Sequence, residues 1–397
     1  MPERSLEGLR VLDLSRILAG PFASMMLADL GAEVIKVERP GSGDDTRGWG
    51  PPFAAGESAY FLSVNRGKKS VTLDLKHPEG RRLARSLAER SDVLLENFRP
   101  GVAERLGLGY GELSAAHPGL VYCSLSGFGR EGPDAQRSGY DVLIQAMGGL
   151  MSITGEPGGP PLKVGVALAD VLAGQFALTG ILAALVHRGR TGRGQRVDVA
   201  LQDALIASLV NRAQNHLLTG EVPGRLGNAH PSIVPYQPFE AADGWFVLAA
   251  GNDAQFRAAC GVLESPGLAG DPRFATNAGR VEHRAELLAA LEPLFRRRPA
   301  AHWVAALGEA GVPAGPIRTL DQVFADPQVQ SQGMRRALEH PVLGRLEVPG
   351  NPIGMSATPP VLQEPPPLLG QHTDEVLQDV LGLDEAERER LRRSGAL

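Results

Sequence analysis

The chain has 397 residues, of which 43% are hydrophobic and 21% charged, and its 40 basic and 45 acidic residues give a net charge of −5. This length is enough for two domains, and the net acidity argues against a general nucleic-acid-binding protein, which requires a clustered basic surface. The two cysteines, Cys123 and Cys260, form neither a disulfide framework nor a zinc-binding pattern. Because the N-terminal residues also lack a long apolar signal core, we expect a cytoplasmic protein.

Strand and helix patterns alternate through the first third of the chain. Short apolar runs predict strands and amphipathic segments predict helices, which places a parallel sheet between two layers of helices in an α/β fold. Ligands of such sheets bind at the carboxyl ends of the strands, so the loops there are the candidate sites. The predicted strands are 9–15, 32–38, 70–75, 92–98 and 120–129, and the predicted helices are 21–31 and 77–91.

The next segment predicts a long apolar helix at 170–189, a strand at 192–201 and a second helix. The apolar run is short for a membrane span and indicates a buried helix. From about residue 221 the chain is rich in Gly and Pro and has the composition of a linker or binding loop. A strand at 245–251 and helices at 253–264 and 281–296 follow, and the C-terminal section contains a strand and a final helix. We therefore predict a Rossmann-like large domain at 1–200, a linker at 201–224, a smaller α+β domain at 225–320, and a linker and C-terminal segment at 321–397.

Several familiar site patterns are missing from the sequence. The loop after the first strand reads SRILAGP (15–21), not the G-x-G-x-x-G that a dinucleotide site needs. The segment around Ser126 lacks the glycine of a hydrolase nucleophile elbow, and the nine histidines include no metal-binding pair. We therefore predict no metal site.

One acid stands in an apolar, small-residue run, Asp170 in VGVALADVLAG (164–174). It has two interpretations. An aspartate at a helix start is most often an N-cap that accepts backbone N–H bonds. It can also be a nucleophile that attacks an activated acyl group.

Basic residues are concentrated in the loops that should surround the site. Singly such residues are ordinary solvated charges, but together they would suit phosphate groups. They are Arg16, Arg39, Lys76, Arg99, Arg105 and Arg137.

The segment LEGLRVLDLSRILAGPFASMMLADLGAEVIKVERPGSGDDTRGWGPP (6–52) resembles the N-terminus of the class III CoA-transferases, the family that includes formyl-CoA transferase and the α-methylacyl-CoA racemases. The resemblance continues through NRGKKSVTLDLKHPEG, DVLLENFRPGVAERLGLGY, TGRGQRVDVALQDA, GVPAGPI and LLGQHTDEVL, and so covers nearly the whole chain. It implies two interlocked ring-shaped monomers, each with a Rossmann-like domain, a smaller domain and a C-terminal segment that returns to the large domain.

The resemblance also implies roles for single residues. Asp170 matches the catalytic aspartate, and Tyr140 would orient either Asp170 or the substrate. Acyl-CoA and small carboxylic acids would be the substrates, with no tightly bound cofactor and with neither nucleic acid nor membrane as a partner. The basic contacts would meet the phosphates of CoA and Phe98 its adenine. The implied CoA contacts are Arg39, Leu75, Lys76, Asn97, Phe98, Arg105 and Arg137.

Two departures from the family pattern bear on the reaction. Racemases of the family carry a histidine in a GHD motif, where this chain has Gly139-Tyr140-Asp141, and a neutral phenol is a poor base for an α-proton. Leu18 replaces a glutamine of formyl-CoA transferase, whereas GNAHPSIVPYQ (227–237) resembles members that use succinyl-CoA. We therefore expect CoA transfer, with an acyl-CoA racemase or epimerase and a non-catalytic CoA-binding protein as the alternatives.

Overall fold

The structure, a computed structural model, describes residues 4–362 and 364–397. The contacts within the chain divide it into two compact units. The second unit consists of residues 151–162 and 221–326, and the first unit consists of the remaining described residues. Residues 201–219 of the predicted linker are largely helical and belong to the first unit. The division into domains at 1–200 and 225–320 stays a prediction.

The strands over these residues are β1 (Arg10–Asp13), β2 (Glu33–Glu38), β3 (Phe53–Ala54), β4 (Glu57–Ser58), β5 (Lys68–Thr72), β6 (Val93–Glu96), β7 (Val121–Ser126), β8 (Arg196–Ala200), β9 (Tyr236–Ala241), β10 (Gly244–Ala249), β11 (Ala314–Pro316), β12 (Arg335–His340) and β13 (Gly344–Pro349).

The helices are α1 (Ala19–Asp29), α2 (Ala59–Val64), α3 (Pro78–Ala88), α4 (Val102–Arg105), α5 (Tyr110–Ala116), α6 (Asp141–Met147), α7 (Leu150–Ile153), α8 (Leu168–Thr191), α9 (Leu201–Ala207), α10 (Val210–Thr219), α11 (Asp253–Val262), α12 (Pro266–Gly270), α13 (Asn277–Glu282), α14 (Arg284–Phe295), α15 (Ala300–Glu309), α16 (Leu320–Ala325), α17 (Pro327–Ser331), α18 (Thr373–Asp379) and α19 (Glu385–Arg393). Two 3₁₀ turns lie at Asp45–Gly48 and Pro272–Phe274.

A parallel sheet with the strand order β5-β2-β1-β6-β7-β8 forms the centre of the first unit. Each neighbouring pair is parallel. This is the order of a doubly wound sheet, in which the direction of winding reverses between β1 and β6. The predicted α/β class is confirmed, and the reversal point is where ligands of such sheets bind.

Two apolar layers cover the faces of this sheet, because successive residues of a strand point to opposite sides. Val11 and its neighbours pack with α1 and α8 on one face. Leu12 and its neighbours pack with α3, α18 and α19 on the other. The C-terminal helices therefore belong to the core of the first unit.

The second unit contains the antiparallel sheet β11-β10-β9. Phe239, Phe246, Phe295 and Trp303 pack together in its core. Residues 236–241 were expected in a linker or binding loop, but they form β9, because Phe239 and Ala241 are buried while the backbone pairs with β10.

Helix α8 has 24 residues and, by length and composition alone, could cross a membrane. A core helix of a soluble protein passes the same test, and Ala173, Ala177 and Ile181 are fully buried in the core of the first unit. Phe176 and Val186, on other sides of the helix, are exposed. The expectation of no membrane partner stays a prediction.

Candidate active site

The start of α8 shows which acid caps this helix. Ala167 occupies the N-cap position and makes no side-chain cap bond, and Asp170 lies within the first turn. The carboxylate of Asp141, at the start of α6, accepts a hydrogen bond of 2.9 Å from the N–H of Ala169. The capping role therefore belongs to Asp141, and the N-cap interpretation of Asp170 is wrong.

The buried side chain of Gln145 fixes the loop that leads into Asp170. Its amide nitrogen donates to Asp141 at 2.8 Å and to the carbonyl of Val166 at 3.2 Å. Its amide oxygen accepts from the N–H of Val164 at 2.9 Å. Since buried polar groups need partners, these bonds hold α6 and the loop together as one piece.

Asp170 faces the N-terminus of α1, and the N–H of Ala19 lies close enough to lower the pKa of its carboxyl. Gly174 lies one turn later on the same face of α8, and a Cβ atom there would stand 2.7 Å from the carbonyl oxygen of Ala19. Only glycine permits so close an approach, so the small residues of this run bring α1 against α8.

The environment of Asp170 disfavours its ionised form. Burial raises the pKa of this carboxyl to about 7, the negative charge of Asp141 adds to the rise, and the N–H of Ala19 opposes it. A carboxylate with a raised pKa is more basic than an ordinary one and is a stronger nucleophile once ionised.

Two aromatic residues were missed in the sequence: Tyr60, whose pKa responds to the charge of Asp170, and its neighbour Trp49. The pKa of Tyr60 is raised to about 12, first by burial and then by the charges of Asp170, Asp141 and Asp44. The Tyr60 ring packs edge-to-face against Trp49, with 5.2 Å between the centroids. Both lie between the predicted strands, where no periodic pattern or charge cluster singled them out.

A cleft of about 440 Å³ opens beside Asp170. It brings together side chains from the loops after β1, β6 and β7, as expected for a parallel sheet. Tyr140 occupies the N-cap position just before α6 and is 57% exposed, so its phenol is accessible to a ligand. The predicted site residues that line this cleft are Asn97, Phe98, Arg137, Tyr140 and Asp170.

A second cleft, of about 550 Å³, is lined by Arg39, Leu75, Lys76 and Phe98. Arg16, Phe98 and Val102 line both clefts, so the two adjoin. Phe98 stands at their junction. Arg105 is exposed on α4 and, among the described residues, is not part of the lining of either cleft.

Asn97, a predicted CoA contact that lines the cleft, also binds the protein backbone. Its Oδ1 accepts from the N–H of Arg16 at 2.9 Å and its Nδ2 donates to the carbonyl of Arg16 at 2.7 Å. The next residue, Ile17, has a φ of +72°, a region that a β-branched residue rarely adopts. Asp44 accepts from the N–H of Ile17 at 3.2 Å. Asn97 and Asp44 thus hold the strained loop between the two clefts.

Two buried ion pairs lie next to this loop. Lys36 pairs with Asp44 at 2.9 Å and Lys68 with Asp13 at 3.3 Å, and all four side chains are fully buried. Lys36 also donates to the carbonyl of Ser15 at 2.9 Å. Burial by itself would raise the pKa of Asp44, but the positive charge of Lys36 helps to lower this pKa to about 2. The described residues contain no group of three or more His, Cys, Asp or Glu side chains placed to hold a metal ion.

The sequence model of the family described as CoA-transferase family III matches residues 6–373. The succinyl-CoA:glutarate CoA-transferase of Mus musculus is 46% identical over 99% of this chain and 90% of its own length. The succinate--glutarate CoA-transferase of Agrobacterium fabrum is 47% identical over 96% of this chain and 97% of its own length. The crystal structure of a CAIB/BAIF family protein from Brucella suis is 46% identical, with a TM-score of 0.85 over 95% of this chain and 99% of that chain.

Proposed function

Because the chain belongs to CoA-transferase family III, we propose that it moves CoA from a dicarboxylic acyl-CoA, with succinyl-CoA the first candidate, to a second carboxylic acid through covalent intermediates on Asp170. The observation that carries this proposal is the carboxylate itself. Asp170 is partly buried, lines a ligand-sized cleft and has its pKa raised to about 7.

The reaction begins when the ionised Asp170 attacks the thioester carbonyl of the donor. The thiolate of CoA leaves and a mixed anhydride joins Asp170 to the acyl group. The thiolate then attacks the aspartyl carbonyl, which releases the donor acid and leaves CoA as a thioester on Asp170. The carboxylate of the acceptor repeats these two steps in reverse order. It displaces the thiolate to form a new anhydride, and the thiolate attacks the acceptor's carbonyl to give the new acyl-CoA. No proton is gained or lost overall, and the aspartate returns to its starting state.

The aspartyl carbonyl is attacked twice in this cycle, and each attack places negative charge on its oxygen. The N–H of Ala19, at the start of α1, already acts on the Asp170 carboxyl by lowering its pKa. An N–H at a helix N-terminus stabilises developing negative charge, so Ala19 would serve as an oxyanion donor. Tyr140 would orient the acyl group from the other side of the cleft.

Bound CoA would extend through both clefts. Arg39 and Lys76 would meet its phosphates in the larger cleft, and Phe98, at the junction, would contact its adenine or pantetheine portion. Arg137 would add a contact in the cleft of Asp170. Arg105 stays a predicted CoA contact, although among the described residues it is not part of the lining of either cleft. Asn97 stays a predicted CoA contact and would also position Arg16 and Ile17.

A second copy of the chain is part of this proposal. Apolar residues on α8, α9 and α10 are exposed in the single chain, among them Phe176, Ile206, Leu217 and Leu218, the last two at 76% and 78% exposure. Large apolar side chains exposed on neighbouring helices favour association. Their exposure supports the interlocked homodimer that the family resemblance implies. Measuring the molar mass in solution by light scattering tests this point.

The test of the reaction is the intact mass of the protein after brief incubation with succinyl-CoA. We expect an adduct of the mass of CoA or of a succinyl group on the wild type, and no adduct on Asp170→Ala. If neither succinyl-CoA nor a panel of other acyl-CoA compounds gives an adduct, the covalent mechanism is contradicted. Deuterium incorporation at the α-carbon of the acyl-CoA in heavy water would then support the racemase alternative.

A further inference from the structure

The ammonium group of Lys68 lies where three structural elements meet. It donates to the carboxylate of Asp13 on β1 at 3.3 Å, to the carbonyl of Pro21 in α1 at 2.9 Å, and to the side-chain oxygen of Asn65, just after α2, at 2.9 Å. Lys68, Asp13 and Asn65 are all buried. An ammonium group has three N–H donors, so each of them has a partner here. A neutral amine would leave one of these acceptors without a donor.

The bond to Pro21 fixes the first turn of α1, which is the part of this helix that faces Asp170. Pro21 is the third residue of α1, and Ala19, whose N–H lowers the pKa of Asp170, is the first. The hydroxyl of Ser24 adds to this attachment, since it donates to Asp13 at 2.6 Å and to the carbonyl of Pro21 at 3.2 Å. The position of the Ala19 N–H therefore depends on the groups that hold this carbonyl.

The bond to Asn65 reaches a second helix that acts on Asp170. Asn65 is the C-cap residue of α2, and its side-chain nitrogen donates to the carbonyl of Phe61 at 2.9 Å. The same helix carries Tyr60, whose pKa responds to the charge of Asp170. One buried cation thus connects α1 and α2 to β1.

Stability alone does not explain a lysine at this place. Burial lowers the pKa of Lys68 because it disfavours the charged ammonium, and the positive charge of Lys36 on β2 adds to the decrease. The charges of Asp13 and Asp44 oppose the decrease. Replacing a buried ion pair by apolar residues of similar volume is often neutral or stabilising. The geometry of the three bonds supplies a reason other than stability.

We propose that Lys68 is a positioning residue for the transfer reaction, because it holds the first turn of α1 where the N–H of Ala19 can act on the Asp170 carboxyl. The proposal rests on the proposed transferase function. Among the described residues, Lys68 is not part of the lining of either cleft, so it would act through α1 and not on the substrate. Without it, the displaced N–H would stabilise the oxyanions less well.

The test measures CoA transfer from succinyl-CoA to glutarate by the wild type and by Lys68→Met. We expect kcat to fall by about 10- to 100-fold, which is less than the complete loss of one oxyanion donor. The KM for succinyl-CoA should change little, because Lys68 would not contact it. A structural role alone would not separate kcat from KM in a folded variant.

The pH profile provides a second measurement. The midpoint of kcat/KM, set by Asp170, should rise in Lys68→Met by up to about 1 pH unit, the effect of losing one hydrogen-bond donor to a carboxylate. Besides burial and the N–H of Ala19, the group that shifts the pKa of Asp170 is Asp141 on α6, which the substitution leaves in place. Tyr60 on α2 stays neutral in this pH range, because its pKa is raised to about 12.

Two further variants keep the test usable if Lys68→Met does not fold. Lys68→Met leaves the carboxylate of Asp13 without its cation, whereas Lys68→Met/Asp13→Asn removes both charges. Asn65→Ala removes only one neutral acceptor and should lower kcat in the same direction but by less. Thermal unfolding checks that each variant is folded.

Arg66→Met/Asp29→Asn is the matched control, because it removes a second buried ion pair that holds α1. Arg66 bonds to Asp29 at 3.0 and 2.7 Å. Asp29 is the last residue of α1, about 15 Å along the helix axis from its first residue. The control should lower stability but leave kcat and the pH midpoint unchanged.

Wild-type values of kcat and of the pH midpoint in the folded Lys68 variants would overturn the positioning role, and so would equal losses in the control. A lower kcat with an unchanged midpoint would also overturn it, because the N–H of Ala19 should affect both. A wild type that transfers CoA from no donor would instead contradict the proposed function.

Discussion

Replacing Asp170 by asparagine should stabilise the protein at high pH, because the native fold disfavours the ionised carboxylate. The folded-state pKa of about 7 lies above the ordinary value of 3.8. Between these two pH values the unfolded chain has released the proton and the folded chain still holds it. The free energy of unfolding therefore falls as the pH rises through this window and levels off above pH 7.

The size of the effect follows from this difference. A pKa difference of about 3 units corresponds to about 4 kcal/mol at pH 8, which is the upper limit. Because the side chain is partly exposed, solvent screening reduces this value, and we expect Asp170→Asn to gain about 2 kcal/mol at pH 8 and nearly nothing at pH 4. Urea denaturation of both proteins at pH 4, 6 and 8 measures the gain.

Asp203 provides a matched control, because it lies in the first turn of α9 as Asp170 lies in the first turn of α8, but is exposed. Asp203→Asn should show no gain that grows with pH. If Asp170→Asn instead lowers stability, or changes it equally at every pH, the inference of a destabilising buried acid is refuted.

Asp170 should also control the pH dependence of activity, because only its ionised form can attack a thioester. We therefore expect kcat/KM to rise with pH to a plateau, with a midpoint near the pKa of about 7. Gly174→Ala would place a Cβ atom 2.7 Å from the carbonyl of Ala19, and should destabilise the protein by about 1–3 kcal/mol in thermal or chemical unfolding and lower kcat. Gln145→Ala should leave buried polar groups unpaired, with a loss of about 1–3 kcal/mol in unfolding and a larger effect on kcat than on KM.

Gly174→Ala and Gln145→Ala each have a control substitution in the same part of the chain. A Cβ atom at Gly189 in α8 meets no atom within 4 Å, so Gly189→Ala should stabilise the exposed helix by up to about 1 kcal/mol. Gln136→Ala removes one long, exposed hydrogen bond of 3.4 Å and should leave stability nearly unchanged. Equal changes in stability for Gly174→Ala and Gly189→Ala would contradict the close approach of α1 and α8. A kcat/KM that does not change between pH 5 and 9 would contradict the role of the Asp170 proton.

Local pattern was sufficient to predict most of the first unit. Strands such as β6 and β7 are largely apolar runs that lie in the sheet core, and α3 is amphipathic with an early proline, so the short-range signals agree with the fold. The pattern failed at β9, where Pro238 and a polar neighbourhood suggested a loop. That strand exists because its backbone pairs with β10 and two of its side chains reach the core of the second unit.

The sequence by itself determined the α/β class, the family and the acid on which the proposed chemistry depends, because apolar periodicity and ordered motifs are local properties of a chain. Only the tertiary structure decided what surrounds that acid. Asp141 takes over the helix cap, Ala19 supplies an N–H and Tyr60 lies within electrostatic range of the carboxylate. These groups come from distant parts of the chain and meet only when α1, α2, α6 and α8 pack together. Burial and charge at a single carboxyl depend on that packing, so no local pattern could have indicated a pKa near 7.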